Sequence, residues 1–168
     1  MADMLLDYKD VSHGLPPSLS LVGKTAIVTG ASRGIGSAIA VVLASRGANI
    51  ALTYTSESSV SKVKQIASKI EAFGRKTTII KCDLADENCG KIIVSETLAG
   101  LDTNTIDILV NNAAIANPGG PTPVKNGFSS GHFDEIFHIN VRAPALLVQA
   151  VLEHLPKTGG RIINMFVS

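Results

Sequence analysis

The chain alternates between short runs of branched apolar residues and longer stretches in which apolar residues return every three or four positions. The short runs contain few polar residues, as expected of strands buried on both faces, and the longer stretches predict helices. Strands that alternate with helices form βαβ units and therefore a parallel sheet. The predicted strands are Lys24–Thr29, Asn49–Tyr54, Thr77–Cys82, Ile106–Val110 and Arg161–Met165.

Helices are predicted between these strands, and Gly47 and Gly74 follow the first two, where glycine readily adopts the left-handed conformation that ends a helix. The stretch from Ala116 to Ser130 is a long connection, and such loops in a compact domain are usually functional. The sequence thus predicts one α/β domain over residues 21–168, a doubly wound parallel sheet with about five strands and four helices, preceded by a flexible arm at residues 1–20. The predicted helices are approximately Ile35–Arg46, Ser58–Phe73, Glu87–Leu101 and Phe133–Leu155.

The fourth predicted helix is apolar around most of its circumference. A helix of this kind is normally buried on more than one side. A face that this chain leaves uncovered is therefore expected to associate with further protein. Its apolar positions are Ile136, Phe137, Ile139, Val141, Leu146, Leu147, Val148, Val151 and Leu152.

Composition and charge are those of an ordinary globular protein, with 45% hydrophobic residues, 17% charged residues and a net charge of +1 over 168 residues. With 4% aromatic residues and no basic stripe, the chain is expected to have neither nucleic acid nor a membrane as partner. The N-terminus lacks the basic flank and apolar run of a signal peptide, which favours a cytoplasmic location. Cys82 and Cys89 are expected to be free, buried thiols, and the histidines show no metal-ligand spacing.

The strongest chemical motif runs from Thr29 to Gly36 at the junction of the first strand and first helix. Gly30 allows a sharp turn, Gly34 allows a pyrophosphate to approach the backbone, and Gly36 allows the helix to pack near the sheet. The spacing G-x-x-x-G-x-G differs from the common fingerprint G-x-G-x-x-G, and the motif lacks the lysine of a P-loop. Standing alone, such a turn could equally serve packing.

Three further stretches follow in order: Asp83-Leu84 after the third strand, Asn111-Asn112-Ala113-Ala114 after the fourth, and Asn140 within the fourth helix. Together with the glycine spacing, they resemble the classical short-chain dehydrogenase/reductase family over about Leu21–Met165. The resemblance implies a Rossmann fold and an oxidoreductase that transfers hydride between a nicotinamide dinucleotide and a small-molecule ketone or alcohol. It also implies that the complete protein is a homo-oligomer.

The resemblance assigns roles to individual residues. Asp83 holds the adenine, the Asn-Asn-Ala stretch lies beside the nicotinamide ribose, and Asn140 matches the asparagine of the catalytic tetrad. Ala114 stands where the family has glycine, which adds a methyl near the cofactor. The expected cofactor-binding residues are Gly30, Ser32, Arg33, Gly34, Ile35, Gly36, Thr55, Ser56, Asp83, Leu84, Asn112 and Ala113.

The end of the second strand bears on the choice of nicotinamide cofactor. An acidic residue there binds the ribose 2′-hydroxyl of NAD and repels a 2′-phosphate, whereas this strand ends in Tyr54-Thr55-Ser56. Arg33 is placed to meet the phosphate with a charge-assisted hydrogen bond, so NADP(H) is favoured over NAD(H). The alternative is that Arg33 is solvated and Glu57 binds the ribose.

Pro144 follows Asn140 by four residues and has no N–H, so the Asn140 carbonyl loses its helical partner. In the family, this asparagine organises a water that relays protons to the active site. The alternative is that Pro144 only kinks the helix and that Asn140 has no role in catalysis.

The family's catalytic Tyr-x-x-x-Lys pair has no counterpart, because Tyr8 is followed at the fourth position by Ser12 and Tyr54 by Ser58. Aligned without a gap, the position of the family's catalytic serine falls on Val167. We therefore expect a C-terminally truncated member that lacks the general acid of hydride transfer and is inactive as written. The alternatives are an NADP(H)-dependent reductase, represented here by its cofactor-binding half, and an inactive NADP(H)-binding or regulatory fragment. An unrelated doubly wound fold, such as a methyltransferase, is disfavoured by the asparagine motifs.

Overall fold

The computed structural model describes residues 20–116 and 130–165. They form a five-stranded sheet in the order β3-β2-β1-β4-β5, and each neighbouring pair is parallel. The strands are β1 Thr25–Val28, β2 Asn49–Tyr54, β3 Thr77–Lys81, β4 Ile108–Asn111 and β5 Arg161–Asn164. The prediction of five strands in a parallel sheet is confirmed, and the strand bounds agree within two residues.

The helices between the strands are α1 Gly34–Ser45, α2 Val60–Ala72 and α3 Cys89–Leu101, with one 3-10 turn at Glu57–Ser59. Gly47 and Gly74 have φ of +110° and +70° just beyond α1 and α2, as predicted for helix ends. The predicted arm at residues 1–20, apart from Ser20, and most of the predicted connection from Ala116 to Ser130 lie outside the described residues.

The sheet separates two apolar cores, as expected for helices on both faces. One core joins α1 and α2 to the sheet through residues such as Val28, Val41 and Ile66. The other joins α3 and the last helix through residues such as Ile27, Ile93 and Leu147. Alternate residues of β1 thus enter opposite cores, which explains why Ala26, Ile27 and Val28 are all apolar.

The predicted fourth helix is wrong as a continuous α-helix. Its residues form α4 Ser130–Phe137, a π-helical segment at His138–Arg142, α5 Ala143–Val151 and a 3-10 turn at Leu152–His154. The Ala143 N–H bonds the His138 carbonyl, five residues back. Because Pro144 cannot donate to the Asn140 carbonyl, the α-helical ladder is interrupted at this place.

Burial of this helical region is one-sided among the described residues. Ala143, Leu147 and Val151 are buried, whereas Phe137 and Leu152 are 49% and 58% exposed. The described part of the chain thus leaves an apolar face of this helical region exposed, as the sequence predicted. No helix within residues 20–116 and 130–165 is long and apolar enough to span a bilayer.

Cys82 and Cys89 are both free and buried, as predicted. Burial is the main cause that raises the pKa of the Cys82 thiol from 9.0 to about 12. Burial also raises the pKa of the Cys89 thiol. Both thiols therefore remain protonated in the folded protein at a pH where they ionise in the unfolded chain.

We expect the free energy of unfolding to fall as pH rises. A raised folded-state pKa stabilises below the unfolded-state value near 9.0 and loses this contribution progressively toward about 12. Urea titrations at about pH 8 and about pH 10 measure the effect, which should be on the order of 1 kcal/mol. A Cys82→Ala/Cys89→Ala double variant should lose this part of the pH dependence. If the free energy of unfolding fell equally with pH in both proteins, the two thiols would not be the cause of the effect.

Candidate nucleotide-binding site

A cavity of about 520 Å³ lies at the carboxyl edge of the sheet, where β1 and β4 are neighbours and the strand order reverses. Such a switch point is where ligands bind in open α/β sheets. All the predicted cofactor-binding residues line this one cavity. They are Gly30, Ser32, Arg33, Gly34, Ile35, Gly36, Thr55, Ser56, Asp83, Leu84, Asn112 and Ala113.

Two glycines of the motif are required by close approach. Gly30 has φ of +64°, and a Cβ there would lie 3.0 Å from the Cβ of Ala113. A Cβ on Gly36 would lie 2.4 Å from Asn112 Nδ2 and 2.5 Å from the Gly30 carbonyl oxygen. Because glycine has no Cβ, the start of α1 can lie this close to the end of β4, so part of the motif does serve packing.

Gly34 has a different environment. Its φ is +58°, and no heavy atom lies within 4 Å of the place that a Cβ would occupy. α1 begins at Gly34 after an extended Arg33 whose side chain makes no capping hydrogen bond, and no acidic residue lies in the first turn. The positive end of the helix thus faces open space beside an exposed arginine, an arrangement that suits an anion.

Thr29 joins the end of β1 to the segment after β4. Its hydroxyl oxygen accepts hydrogen bonds from the backbone N–H groups of Asn112 and Ala113, both at 3.0 Å. Asn112 Nδ2 in turn donates to the Thr29 carbonyl at 2.9 Å. These bonds set the position of the Asn-Asn-Ala stretch relative to the glycine loop.

The end of β2 lines the cavity with hydroxyl groups that have local partners. Thr55 Oγ1 donates to the Cys82 carbonyl at 3.0 Å, and Ser56 Oγ accepts from the Ser58 N–H at 3.3 Å. Glu57, the alternative ribose-binding residue, is not among the residues lining the cavity, and its exposed carboxylate forms an ion pair with Lys81.

The loop after β3 is shaped by its own carboxylates. Asp83 Oδ1 accepts from the Ala85 N–H at 2.9 Å, and Asp86 Oδ1 accepts from the Asn88 N–H at 2.7 Å. Leu84 is buried, with 6% exposure, and lines the same cavity. The loop therefore forms a structured wall of the cavity.

Asn140 lies in the π-helical segment and lines a neighbouring cavity of about 550 Å³, which shares Ala113 and Ala114 with the first. Its side chain accepts from the Ile115 N–H at 3.0 Å and donates to the Ile115 carbonyl at 2.7 Å. This two-point bond, which the sequence did not predict, ties the segment after β4 to the helix.

Several cavity-lining residues were missed, namely Thr53, Tyr54, Ser59, Ile115 and Ile139. Ala114, whose methyl was expected near the cofactor, also lines the cavity. Tyr54 adjoins a predicted residue and was therefore detectable as a neighbour. Ile139 reaches the cavity from a distant part of the chain, so no local pattern indicates it.

A parallel sheet in this order, with a glycine loop and a cavity at its switch point, is that of a nucleotide-binding α/β protein of the Rossmann type. The profile of the family described as short chain dehydrogenase matches residues 24–168. The chain belongs to the short chain dehydrogenase family.

Relatives of this chain are found in fungi and bacteria. It is 41% identical over 148 residues to a short chain dehydrogenase, penD, of Penicillium thymicola, covering 87% of this chain and 52% of that protein. Among solved structures, a short chain dehydrogenase from Burkholderia cenocepacia in complex with NADP is 38% identical, with a TM-score of 0.76 and coverage of 86% and 55%. A blue fluorescent protein from a metagenomic library, in complex with NADPH, is 39% identical, with a TM-score of 0.73 and coverage of 86% and 56%. The chain spans about half the length of these relatives.

Proposed function

We propose that this chain forms the NADP(H)-binding part of an oxidoreductase that interconverts small-molecule ketones and alcohols. The observation that carries this proposal is the convergence of all the predicted cofactor-binding residues on one cavity at the switch point. Two similar solved structures contain NADPH or NADP, which supports the same class of ligand here.

The glycine loop fits the pyrophosphate of a dinucleotide. The open space at Gly34 leaves room for phosphate oxygens near the backbone, and the uncapped start of α1 offers N–H donors to them. Asn112 keeps the loop in this form at two points: its N–H donates to the Thr29 hydroxyl, and its side chain packs closely against Gly36. The loop is therefore preorganised for the anion, without rearrangement of the backbone.

The charges around the cavity favour a 2′-phosphate over a free 2′-hydroxyl. Arg33 supplies an exposed cation, and the end of β2 supplies hydroxyl groups rather than a carboxylate. The ion pair between Glu57 and Lys81 engages the nearest acidic side chain after β2. NADP(H) is thus the preferred cofactor, with Arg33 as its specificity residue.

When bound, NADPH supplies the hydride, and the chain's own residues orient it. Asn112 lines the nucleotide cavity, Ala113 lies on the wall that both cavities share, and Asn140 lines the second cavity. The lost helical partner of the Asn140 carbonyl leaves that oxygen available to hold a water, while the Asn140 side chain is engaged by Ile115. Asn140 is in this proposal the residue that organises a proton-relaying water.

A second candidate is binding of NADP(H) without turnover by these residues. Neither Tyr8 nor Tyr54 is followed by lysine at the fourth position, so the chain carries no tyrosine–lysine pair to act as general acid. Binding without turnover of a panel of simple ketones would favour this candidate, and turnover would favour the first.

The whole protein is proposed to be a homo-oligomer in the cytoplasm. The exposed apolar side chains of Phe133, Phe137 and Leu152 support association. Two free buried thiols fit a reducing compartment.

Arg33→Ala is expected to weaken NADPH binding about tenfold to hundredfold, because a charge-assisted hydrogen bond to the 2′-phosphate is lost. NADH binding should not change, since NADH lacks that phosphate. Fluorescence titration with both cofactors measures the difference. Lys62→Ala, which removes an exposed cation outside the cavity, is the control. Equal loss for NADPH and NADH would contradict the role of Arg33 as specificity residue.

A further inference from the structure

Arg142 connects the last turn of the π-helical segment to the loop after β3. Its Nη2 donates to the Ala85 carbonyl, and its Nη1 lies 3.5 Å from the Glu87 carboxylate. The side chain is 28% exposed, and its Nε is buried without a hydrogen-bond partner. The guanidinium therefore spans two segments that are far apart in sequence.

The loop that Arg142 reaches carries Asp83 and Leu84, which line the nucleotide cavity. Its internal hydrogen bonds run from backbone N–H groups to the Asp83 and Asp86 carboxylates, and these shape the loop without fixing it to the helical layer. The bond from Arg142 to the Ala85 carbonyl supplies such an anchor.

The same π-helical segment also approaches the other end of the site. Ile139 lines the nucleotide cavity, and the Asn140 side chain holds Ile115 at two points. One short segment thus contacts both the loop after β3 and the segment after β4. The distance between the two ends of the cavity depends on this segment.

The energetics of Arg142 favour a role in positioning rather than in stability. A buried guanidinium N–H without a partner costs free energy, and apolar residues of similar volume often replace buried charged groups without loss of stability. The contact with Glu87 is weak, because the Glu87 side chain is 81% exposed and screened by solvent.

We propose that Arg142 is a positioning residue for the adenosine half of the dinucleotide. It acts through Ala85, by holding Asp83 and Leu84 at the cavity wall. The proposal rests on the proposed NADP(H) site.

The test uses the 168-residue chain and its Arg142→Met variant. Methionine retains a long, flexible stem but removes the guanidinium and its charge. Each protein is titrated with NADPH, with 2′,5′-ADP as the adenosine half, and with reduced nicotinamide mononucleotide as the other half. The variant should bind NADPH and 2′,5′-ADP about tenfold more weakly, the effect of one lost hydrogen bond from a charged group, and the mononucleotide equally well. Arg142→Lys, which retains a cationic donor group, should recover part of the loss, and Glu87→Gln should resemble the unaltered chain.

Unchanged binding of 2′,5′-ADP by Arg142→Met would overturn the proposal. An equal loss of affinity for 2′,5′-ADP and for the mononucleotide would overturn it too, because a general structural defect weakens the binding of both ligands. An unaltered chain that binds none of the three ligands would refute the proposed NADP(H) site itself, and the inference with it. Binding by the unaltered chain with no effect of the variant would refute the role of Arg142 alone.

Discussion

Thr29→Val is expected to lower the free energy of unfolding by about 2–4 kcal/mol, because two backbone N–H groups lose their acceptor. Thr29 is 1% exposed, and its hydroxyl oxygen accepts from both Asn112 and Ala113. Valine has nearly the same shape but offers no acceptor, so the loss is polar rather than steric. Urea denaturation followed by circular dichroism measures the change.

The same substitution is expected to weaken NADPH binding, since Asn112 and Ala113 form part of the cavity wall. Thr29→Ser is the matched control: it keeps the hydroxyl and removes only a methyl, at a cost of about 1 kcal/mol. A valine variant as stable as the serine variant would show that the Thr29 hydroxyl does not hold the segment after β4.

Gly36→Ala is expected to reduce NADPH affinity by about a hundredfold, as for the loss of two favourable contacts. The added Cβ would lie 2.4 Å from Asn112 Nδ2 and 2.5 Å from the Gly30 carbonyl oxygen, so either the loop or the helix must move. At an unobstructed helical position, the same change would stabilise the helix by about 1 kcal/mol. A loss of both affinity and stability therefore identifies the steric effect, with calorimetric titration and thermal denaturation as the measurements.

Arg46→Ala at the other end of α1 is the control for this variant. The Arg46 side chain is exposed and does not line the cavity, so affinity and stability should remain close to those of the unaltered chain. If Gly36→Ala bound NADPH as tightly as Arg46→Ala does, the glycine loop would not be the pyrophosphate site.

β1, β2 and β4 were predictable because they are buried on both faces, whereas the edge strand β5 is largely exposed. Successive residues such as Ile27 and Val28 point into opposite cores, and both are apolar because both are buried. This gives the uninterrupted apolar runs seen in the sequence. The resemblance implied a Rossmann fold and the cofactor-binding residues, but the order of the strands was seen only in the structure. The π-helical segment was not predicted, because a missing N–H at Pro144 indicates only that the α-helical ladder is disturbed and not how the chain accommodates it.

The glycine positions of the site were predictable because glycines at this spacing, between a strand and a helix, form a recognisable motif. The hydrogen bonds that hold the site were not. Thr29 with Asn112 and Asn140 with Ile115 are pairs brought together only by the fold. Arg142 was missed for the same reason, since its partner Ala85 contributes only a backbone carbonyl.

The cavity between β1 and β4 is proposed to bind NADP(H). Isothermal titration of the folded 168-residue chain with NADPH and, in parallel, with NADH measures this binding. We expect saturable binding of one NADPH per chain, at least about tenfold tighter than NADH because of the 2′-phosphate. If a chain with the circular dichroism of an α/β fold bound neither cofactor, or preferred NADH, the cavity would not be an NADP(H) site.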